Sequence, residues 1–102
     1  MAKESVSIKN RDKTNLSEPG KYAVIFHNDD FTTMDFVVMV LVDIFHLSQP
    51  EADTVMLKVH HEGKAIVGIY SYDIAQTKSR RAISCARENH YPLRVTVEKA
   101  NG

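Results

Sequence analysis

Residues 26–36 read "FHNDDFTTMDF" and link two apolar runs, "YAVIF" (residues 22–26) and "MDFVVMVLVDIF" (residues 34–45). The first run is short and rich in β-branched and aromatic residues, which predicts a strand over residues 21–26 that ends at the Asn-Asp-Asp turn. Thr32, with Asp35 three residues on, resembles a capping box and predicts a helix over about residues 33–45. The stretch therefore predicts a strand, a polar turn and a helix in immediate succession.

The residues that follow predict a second helix and a second strand. Ser48 and Glu51 form a capping box with a proline in the first turn, so a helix is expected to run to about residue 61. Gly63 is expected near its C-terminal cap, because glycine readily adopts the left-handed conformation found there. The run "KAIVGIY" (residues 64–70) then indicates a buried strand.

The C-terminal part of the chain predicts a third helix and a third strand. The helix is expected to follow Ser71 and to stop near Asn89, and residues 93–98 alternate between apolar and polar, as in a half-exposed strand. The order β-α-α-β-α-β predicts an α+β domain, a three-stranded antiparallel sheet covered by three helices. We expect residues 21–102 to form this domain and residues 1–20 to form a flexible N-terminal extension.

The composition excludes several classes of protein. The 102 residues carry 13 basic and 13 acidic side chains, whereas general nucleic-acid binders usually present a basic surface. The single cysteine, Cys85, excludes an internal disulfide. The longest apolar run, residues 36–42, is too short to span a bilayer, and the N-terminal residues lack the apolar segment of a secretory signal. We therefore expect a cytoplasmic protein with no nucleic-acid or membrane partner, and we expect it to be a monomer.

Metal and catalytic chemistry have little support in the spacing of the reactive residues. His60 and His61 are adjacent, so on a helix they point about 100° apart, and no Cys-x-x-Cys pair accompanies them. Cys85 is expected in the middle of a helix, where a cysteine is usually a small buried hydrophobic residue. The four glycines are scattered, which argues against a phosphate-binding loop. We expect no metal, no cofactor and no catalytic residue.

The segment Asn28-Asp29-Asp30 allows two interpretations. Asn and Asp are typical turn residues, because their side chains bond to neighbouring backbone groups. Two carboxylates beside an apolar helix start also suit an ammonium group attached to an apolar side chain, since an ammonium offers three donors and a charge. The residues whose helical spacing could surround that side chain are Met34 and Val37 on the first helix, and Met56, Val59 and His60 on the second. On spacing alone, such apolar residues are more typical of a protein core.

Four stretches of the chain match the sequence pattern of a known family. They are "VIFHNDDFTTMDFVV", "VMLKVHHEGKAIVG", "IAQTK" and "ARENHYPLRVTVEKA". Together they resemble the ClpS family, the adaptors of the Clp ATP-dependent protease, in order and at matching spacing over residues 21–100. Three positions depart from the family pattern: Thr33 stands where proline is frequent, His61 where an aromatic residue is frequent, and Phe26 where an aliphatic residue is frequent.

The resemblance implies an adaptor that recognises N-degrons and not an enzyme. ClpS-like proteins bind polypeptides whose first residue is Leu, Phe, Tyr or Trp and deliver them to a hexameric Clp ATPase. By matching positions, the resemblance assigns the substrate's α-amino group to Asn28, Asp29 and His60. It assigns the cap of the turn to Asp30. It assigns the side-chain pocket to Phe26, Thr32, Met34, Val37, Met56, Val59 and Leu93.

Three further assignments follow from the same resemblance. Met34 stands at the gatekeeper position that excludes the β-branched first residues Ile and Val. Asp73 and Lys78 match positions that contact the N-terminal domain of a ClpA- or ClpC-type ATPase. Residues 1–20 would be the extension that engages the ATPase during transfer of the substrate.

Other functions remain open on the residues themselves. A protein-interaction module that modulates the Clp ATPase would use Asp73 and Lys78 but would ignore the first residue of a polypeptide. A small metal-dependent hydrolase would use Asp29, Asp30 and His60 and would lose activity to a chelator. The basic run "KSRR" (residues 78–81) is typical of a solvated helix face, and it could also dock an acidic surface of a partner.

Overall fold

Six regular elements make up residues 20–100, the part of the chain that the computed structural model describes. They are β1 (Lys21–His27), α1 (Met34–Asp43), α2 (Gln49–Glu62), β2 (Lys64–Tyr70), α3 (Tyr72–Glu88) and β3 (Arg94–Ala100). The predicted order β-α-α-β-α-β and the α+β class are confirmed. The predicted extension lies outside the described residues, except for Gly20, and stays a prediction. Among residues 20–100, no helix has both the length and the apolar character that a bilayer crossing requires.

Strand β1 is the central strand of an antiparallel sheet with the order β2-β1-β3. Its last residue, His27, pairs with Lys64 of β2 on one side and with Arg94 of β3 on the other. The backbone N–H of the next residue, Asn28, donates to the Gly63 carbonyl at 2.8 Å. Because β1 is hydrogen-bonded to a neighbouring strand on each side up to its last residue, the turn that follows starts from a fixed position.

The helices cover one face of this sheet. Val24 and Phe26 of β1 are fully buried in the core, and the Phe26 ring packs edge-on against Phe45 with 5.4 Å between the ring centroids. Ile66 and Ile69 of β2, in contrast, are 53% and 51% exposed. In a regular strand, residues three positions apart point to opposite faces. The pairing of β1 with β2 shifts register once along its length, which interrupts this alternation, so Ile66 and Ile69 are both exposed.

Helix α1 begins one residue later than the sequence predicted and ends earlier. Its N-cap is Thr33, whose Oγ1 accepts a hydrogen bond from the backbone N–H of Phe36 at 3.2 Å. Thr32, the cap that the sequence predicted, instead donates both its backbone N–H and its hydroxyl to Asp29. The helix ends at Asp43, where the prediction extended it to residue 45.

The two ends of α2 are confirmed. The Glu51 backbone N–H donates to Ser48 Oγ at 3.2 Å, and the Ser48 N–H donates to Glu51 Oε1 at 2.9 Å, which completes the capping box. Gly63 is the C-cap, and its φ of 90° lies in the left-handed region that glycine tolerates. Since Gly63 also bonds to Asn28, the last turn of α2, which carries His60, is held beside the turn after β1.

Candidate functional site

The turn after β1 is organised by the carboxylate of Asp29. Asp29 Oδ1 accepts hydrogen bonds from the backbone N–H groups of Phe31 and Thr32, at 2.8 and 2.7 Å. Asp29 Oδ2 accepts one from the Thr32 hydroxyl at 2.7 Å. The capping role that the resemblance assigned to Asp30 is therefore performed by Asp29, because only the earlier carboxylate reaches the backbone of residues 31 and 32. Within residues 20–100, the Asp30 side chain forms no hydrogen bond and is exposed.

The pKa of the Asp29 carboxyl lies below its ordinary value. Burial acts to raise this pKa, but the hydrogen bonds from Thr32 and Phe31, together with the positive charge of Arg87, outweigh it. Asp29 is thus ionised throughout the neutral range. A carboxylate offers about four acceptor positions. Three are occupied, so Asp29 can accept a further hydrogen bond.

A cavity of about 400 Å³ opens beside this turn, between the start of α1 and the last turns of α2. Its polar lining comes from the turn and from one helix residue, His60, while its apolar lining comes from both helices and from Phe31 of the turn. The lining residues are Asn28, Asp29, Asp30, Phe31, Thr32, Thr33, Met34, Val37, Met56, Val59 and His60. The three residues predicted to hold an amine therefore share one cavity with most of those predicted to surround a side chain.

Phe26 and Leu93 do not line this cavity, although the resemblance assigned both to the side-chain pocket. Phe26 is 0% exposed and Leu93 is 1% exposed. Both belong to the apolar core between the sheet and the helices. Phe26 points into the core because it lies on the covered face of the central strand, and there it contacts Phe45.

Two lining residues were missed by the sequence analysis. Phe31 is 73% exposed although it is a large aromatic residue, and Thr33 is exposed at the N-cap of α1. An aromatic residue inside a run of turn-forming polar residues was a usable signal for Phe31, since a turn has no core to receive it. Thr33 lies between Thr32 and Met34, two residues that were assigned to the pocket, and this position in the sequence was a usable signal for it.

The two adjacent histidines differ in position. His60 lines the cavity, whereas His61 does not, although their rings are only 5.2 Å apart between centroids. Their divergence is the expected result of helix geometry, in which neighbouring residues point about 100° apart. No group of three or more His, Cys, Asp or Glu side chains within residues 20–100 is arranged to hold a metal ion.

The residues assigned to the ATPase contact lie on α3, away from the cavity. Asp73 is exposed in the first turn of that helix. Lys78 is half-buried, and its Nζ donates to the Ile44 carbonyl at 2.7 Å while lying 5.9 Å from the Phe45 ring centroid and 5.6 Å from that of Tyr70. Lys78 therefore satisfies a carbonyl at the C-terminal end of α1 and joins α3 to that helix.

Comparisons with known proteins agree with one another. A family model described as "ATP-dependent Clp protease adaptor protein ClpS" matches residues 17–96. The ClpS adapter protein of Treponema denticola is 57% identical over 82 residues, which is 80% of this chain and 81% of the relative. That of Myxococcus xanthus is 42% identical over 98 residues, which is 96% of this chain and 92% of the relative. A structure of Agrobacterium tumefaciens ClpS2 bound to L-phenylalaninamide aligns with a TM-score of 0.79 at 36% identity, covering 81% of this chain and all of that one.

Proposed function

Since the chain belongs to the ClpS family of Clp protease adaptors, we propose that it captures polypeptides by a free α-amino group and a bulky hydrophobic first residue. The first residues it accepts are Leu, Phe, Tyr and Trp. It delivers these substrates to a ClpA- or ClpC-type ATPase for proteolysis. The observation that carries the proposal is the cavity in which ionised Asp29 lies beside an apolar lining.

The polar part of the cavity suits an ammonium group. Asp29 supplies a negative charge and a free acceptor position, and Asn28 and His60 can supply an amide oxygen and a ring nitrogen. Three acceptors match the three N–H donors of an α-ammonium group. Hydrogen bonds in which a partner is charged are about twice as strong as neutral ones, so this end of the cavity would fix the substrate's amine.

The apolar part of the cavity suits a large hydrophobic side chain. Met34 and Val37 are one helical turn apart on α1, and Met56 and Val59 are one turn apart on α2. Methionine side chains adapt to different shapes, which agrees with a pocket that accepts both the branched Leu and the flat aromatic residues. The ligand of the Agrobacterium ClpS2 structure, L-phenylalaninamide, has a free amine next to an aromatic side chain and so has the chemistry that this cavity would bind.

Met34 would set the limit on the shape of the first side chain. It is the first residue of α1, lies next to its N-cap and remains 42% exposed while lining the cavity. A side chain branched at Cβ is wide close to the backbone, where the amine is held. Met34 would therefore exclude Ile and Val while admitting Leu and the aromatic residues.

The surface that meets the ATPase would include Asp73. This residue is exposed on α3 and lies outside the cavity, so a partner could contact it while a substrate is bound. Lys78, the other residue assigned by the resemblance, also has a contact within the domain. Its ammonium group already bonds to Ile44, so it would support the shape of this surface and offer its remaining donors at the edge.

The proposal is tested by measuring the affinity of the full chain for peptides that differ only in the first residue. Burial of one Leu or Phe side chain contributes about 1.5–3 kcal/mol, so a peptide that begins with Ala should bind about 10- to 100-fold more weakly than one that begins with Leu or Phe. Equal affinity for all first residues would contradict the proposal. That result, with retained binding of the ATPase, would favour a module that acts on the ATPase alone.

A further inference from the structure

A second cavity, of about 470 Å³, adjoins the proposed substrate site. It is lined by Phe31, Arg87, His90, Tyr91 and Pro92. Phe31 belongs to the lining of both cavities. A second link joins them, because Thr33 of the first cavity lies 3.4 Å from the hydroxyl of Tyr91 in the second. The two cavities are therefore neighbours, with Phe31 as a shared lining residue.

We propose that the second cavity is a subsite for an aromatic side chain at the third residue of the bound polypeptide. This inference rests on the proposed function, since it assumes that the first residue occupies the first cavity. It adds a determinant of substrate choice beyond the N-terminal residue itself.

The lining of the second cavity has the chemistry that binds a flat aromatic ring. Phe31 is 73% exposed, and its ring does not pack in the hydrophobic core. The Tyr91 ring is held in place against Phe36, with 4.8 Å between centroids. Aromatic rings attract one another in offset or edge-on arrangements, and two rings with a proline beside them form a surface suited to a third ring.

Arg87 adds a fixed positive charge to this surface. Its Nη1 donates to the carbonyl oxygens of Tyr91 and Leu93, at 2.8 and 3.0 Å. A guanidinium group held by its edge can still present its face to an aromatic ring. An acidic side chain is less suited to the cavity, because one nitrogen of Arg87 is already bonded and the carboxylates of Asp29 and Asp30 lie in the adjoining lining.

The spacing of an extended chain selects the third residue. A strand advances about 3.3 Å per residue, and alternate side chains point to the same side. The first and third side chains therefore project in the same direction about 6–7 Å apart. The two cavities are neighbours that share Phe31, so we place the third side chain in the second cavity when the first side chain occupies the first.

The test compares Leu-initiated peptides that carry Phe, Trp or Ala at the third position and are otherwise identical. Fluorescence anisotropy with the full chain should give about 3- to 10-fold tighter binding for the aromatic peptides. The Phe31→Ser variant should abolish this ratio. Phe31 also lines the first cavity, so the ratio between two peptides is the readout, because damage to the first cavity weakens both peptides alike.

A second variant has a matched control. His90 has a φ of 64°, and Asn tolerates this conformation, so His90→Asn removes the ring from the second cavity without straining the backbone. We expect it to reduce the aromatic preference by about half or more. His46 also has a positive φ, 59°, and lines neither cavity, so His46→Asn should leave the preference unchanged.

The outcomes separate the subsite from the proposed function. Measurable and equal affinity for the Phe, Trp and Ala peptides would overturn the subsite and leave N-terminal recognition intact. An aromatic preference that survives both Phe31→Ser and His90→Asn would also overturn it. If no Leu-initiated peptide bound at all, the proposed function and the subsite would both fail.

Discussion

Asp29 accepts two hydrogen bonds from Thr32, one from its backbone N–H and one from its hydroxyl, each at 2.7 Å. One carboxylate thus shapes the turn that follows β1 and also supplies the negative charge of the cavity. The next residue, Thr33, is the N-cap of α1, and Met34, the first residue of that helix, lines the cavity. The turn interpretation and the proposed cation-binding interpretation of the acidic segment are therefore compatible in one residue.

The Asp29→Asn substitution should separate these two roles. The asparagine oxygen can still accept from the backbone of Phe31 and Thr32, so the turn should persist at a cost of about 1 kcal/mol in the free energy of unfolding. Loss of the negative charge should weaken binding of a Leu-initiated peptide by about 10-fold or more. Asp30 lines the same cavity but is exposed, where solvent screens its charge, so Asp30→Asn should change affinity by less than about 3-fold. Equal losses in the two variants would contradict the assignment of the amine to Asp29.

The lowered pKa of Asp29 makes the contribution of its carboxylate to folding stability depend on pH. A carboxyl whose pKa is lower in the folded chain than in the unfolded chain stabilises the fold above its ordinary pKa of about 3.9. That stabilisation is lost as the pH falls through the lowered value. Acid unfolding of Asp29→Asn should accordingly show a shallower decline of stability below about pH 4 than acid unfolding of the unsubstituted chain.

His60→Ala and His61→Ala form a matched pair of variants. The residues are adjacent and both exposed on α2, but only His60 lines the cavity. Loss of one hydrogen bond to a charged group costs about 1.5–3 kcal/mol, so His60→Ala should weaken peptide binding by about 10-fold or more. His61→Ala should leave it within about 2-fold of the unsubstituted chain. Isothermal titration of one Leu-initiated peptide against the variants measures both effects, and a larger loss in His61→Ala would be incompatible with the site.

Met34→Ala should widen the range of accepted first residues. Removing this side chain opens the wall that is expected to meet a β-branched substrate, so peptides that begin with Ile or Val should gain about 10-fold or more in affinity. Met39 is a second exposed methionine of α1 outside the cavity, so Met39→Ala should not change the selectivity. Continued exclusion of Ile and Val by the Met34 variant would refute the gatekeeper role.

His27 should make the stability of the domain depend on pH near neutrality. Burial lowers the pKa of His27, the positive charges of Arg94 and Lys64 lower it further, and Glu98 opposes them. A histidine with a lowered pKa binds fewer protons in the folded chain than in the unfolded chain. The free energy of unfolding should therefore fall as the pH drops from above the ordinary value of about 6.5 to the lowered one.

Urea unfolding of His27→Gln tests this pH dependence. Glutamine does not titrate and can still bond to Thr96 Oγ1, which His27 Nε2 meets at 2.8 Å. Between about pH 7.5 and pH 5.5 the variant should lose less stability than the unsubstituted chain. Parallel losses in the two proteins would show that His27 does not produce the effect.

The sequence predicted the elements well where local signals agree. Ser48 and Glu51 form a capping box at the start of α2, and Gly63 is its C-cap in the left-handed conformation. Both ends of α2 could therefore be located without tertiary information. The start of α1 could not, because Thr32 and Thr33 are both suitable caps by type. In the folded chain the Thr33 hydroxyl accepts from the backbone N–H of Phe36, a choice that the sequence pattern does not reveal.

The candidate site was also predictable only where a local sequence pattern relates its residues. Helical spacing placed Met56, Val59 and His60 together, and they line one cavity. The sequence pattern could not show that Phe26 is buried in the core and does not line the cavity. A core residue and a pocket residue on the same face of a strand have the same spacing. The second cavity joins Phe31 to residues of the segment before β3, and no local pattern relates positions so far apart in the chain.

The most direct test of the central claim compares one Leu-initiated peptide with a free N-terminus and the same peptide with an acetylated N-terminus. Acetylation removes the charge and two donors from the group that Asn28, Asp29 and His60 are proposed to hold, while the first side chain is unchanged. The predicted result is at least about a 100-fold loss of affinity. Equal affinity for the two peptides would contradict the claim that the acidic turn binds the α-amino group.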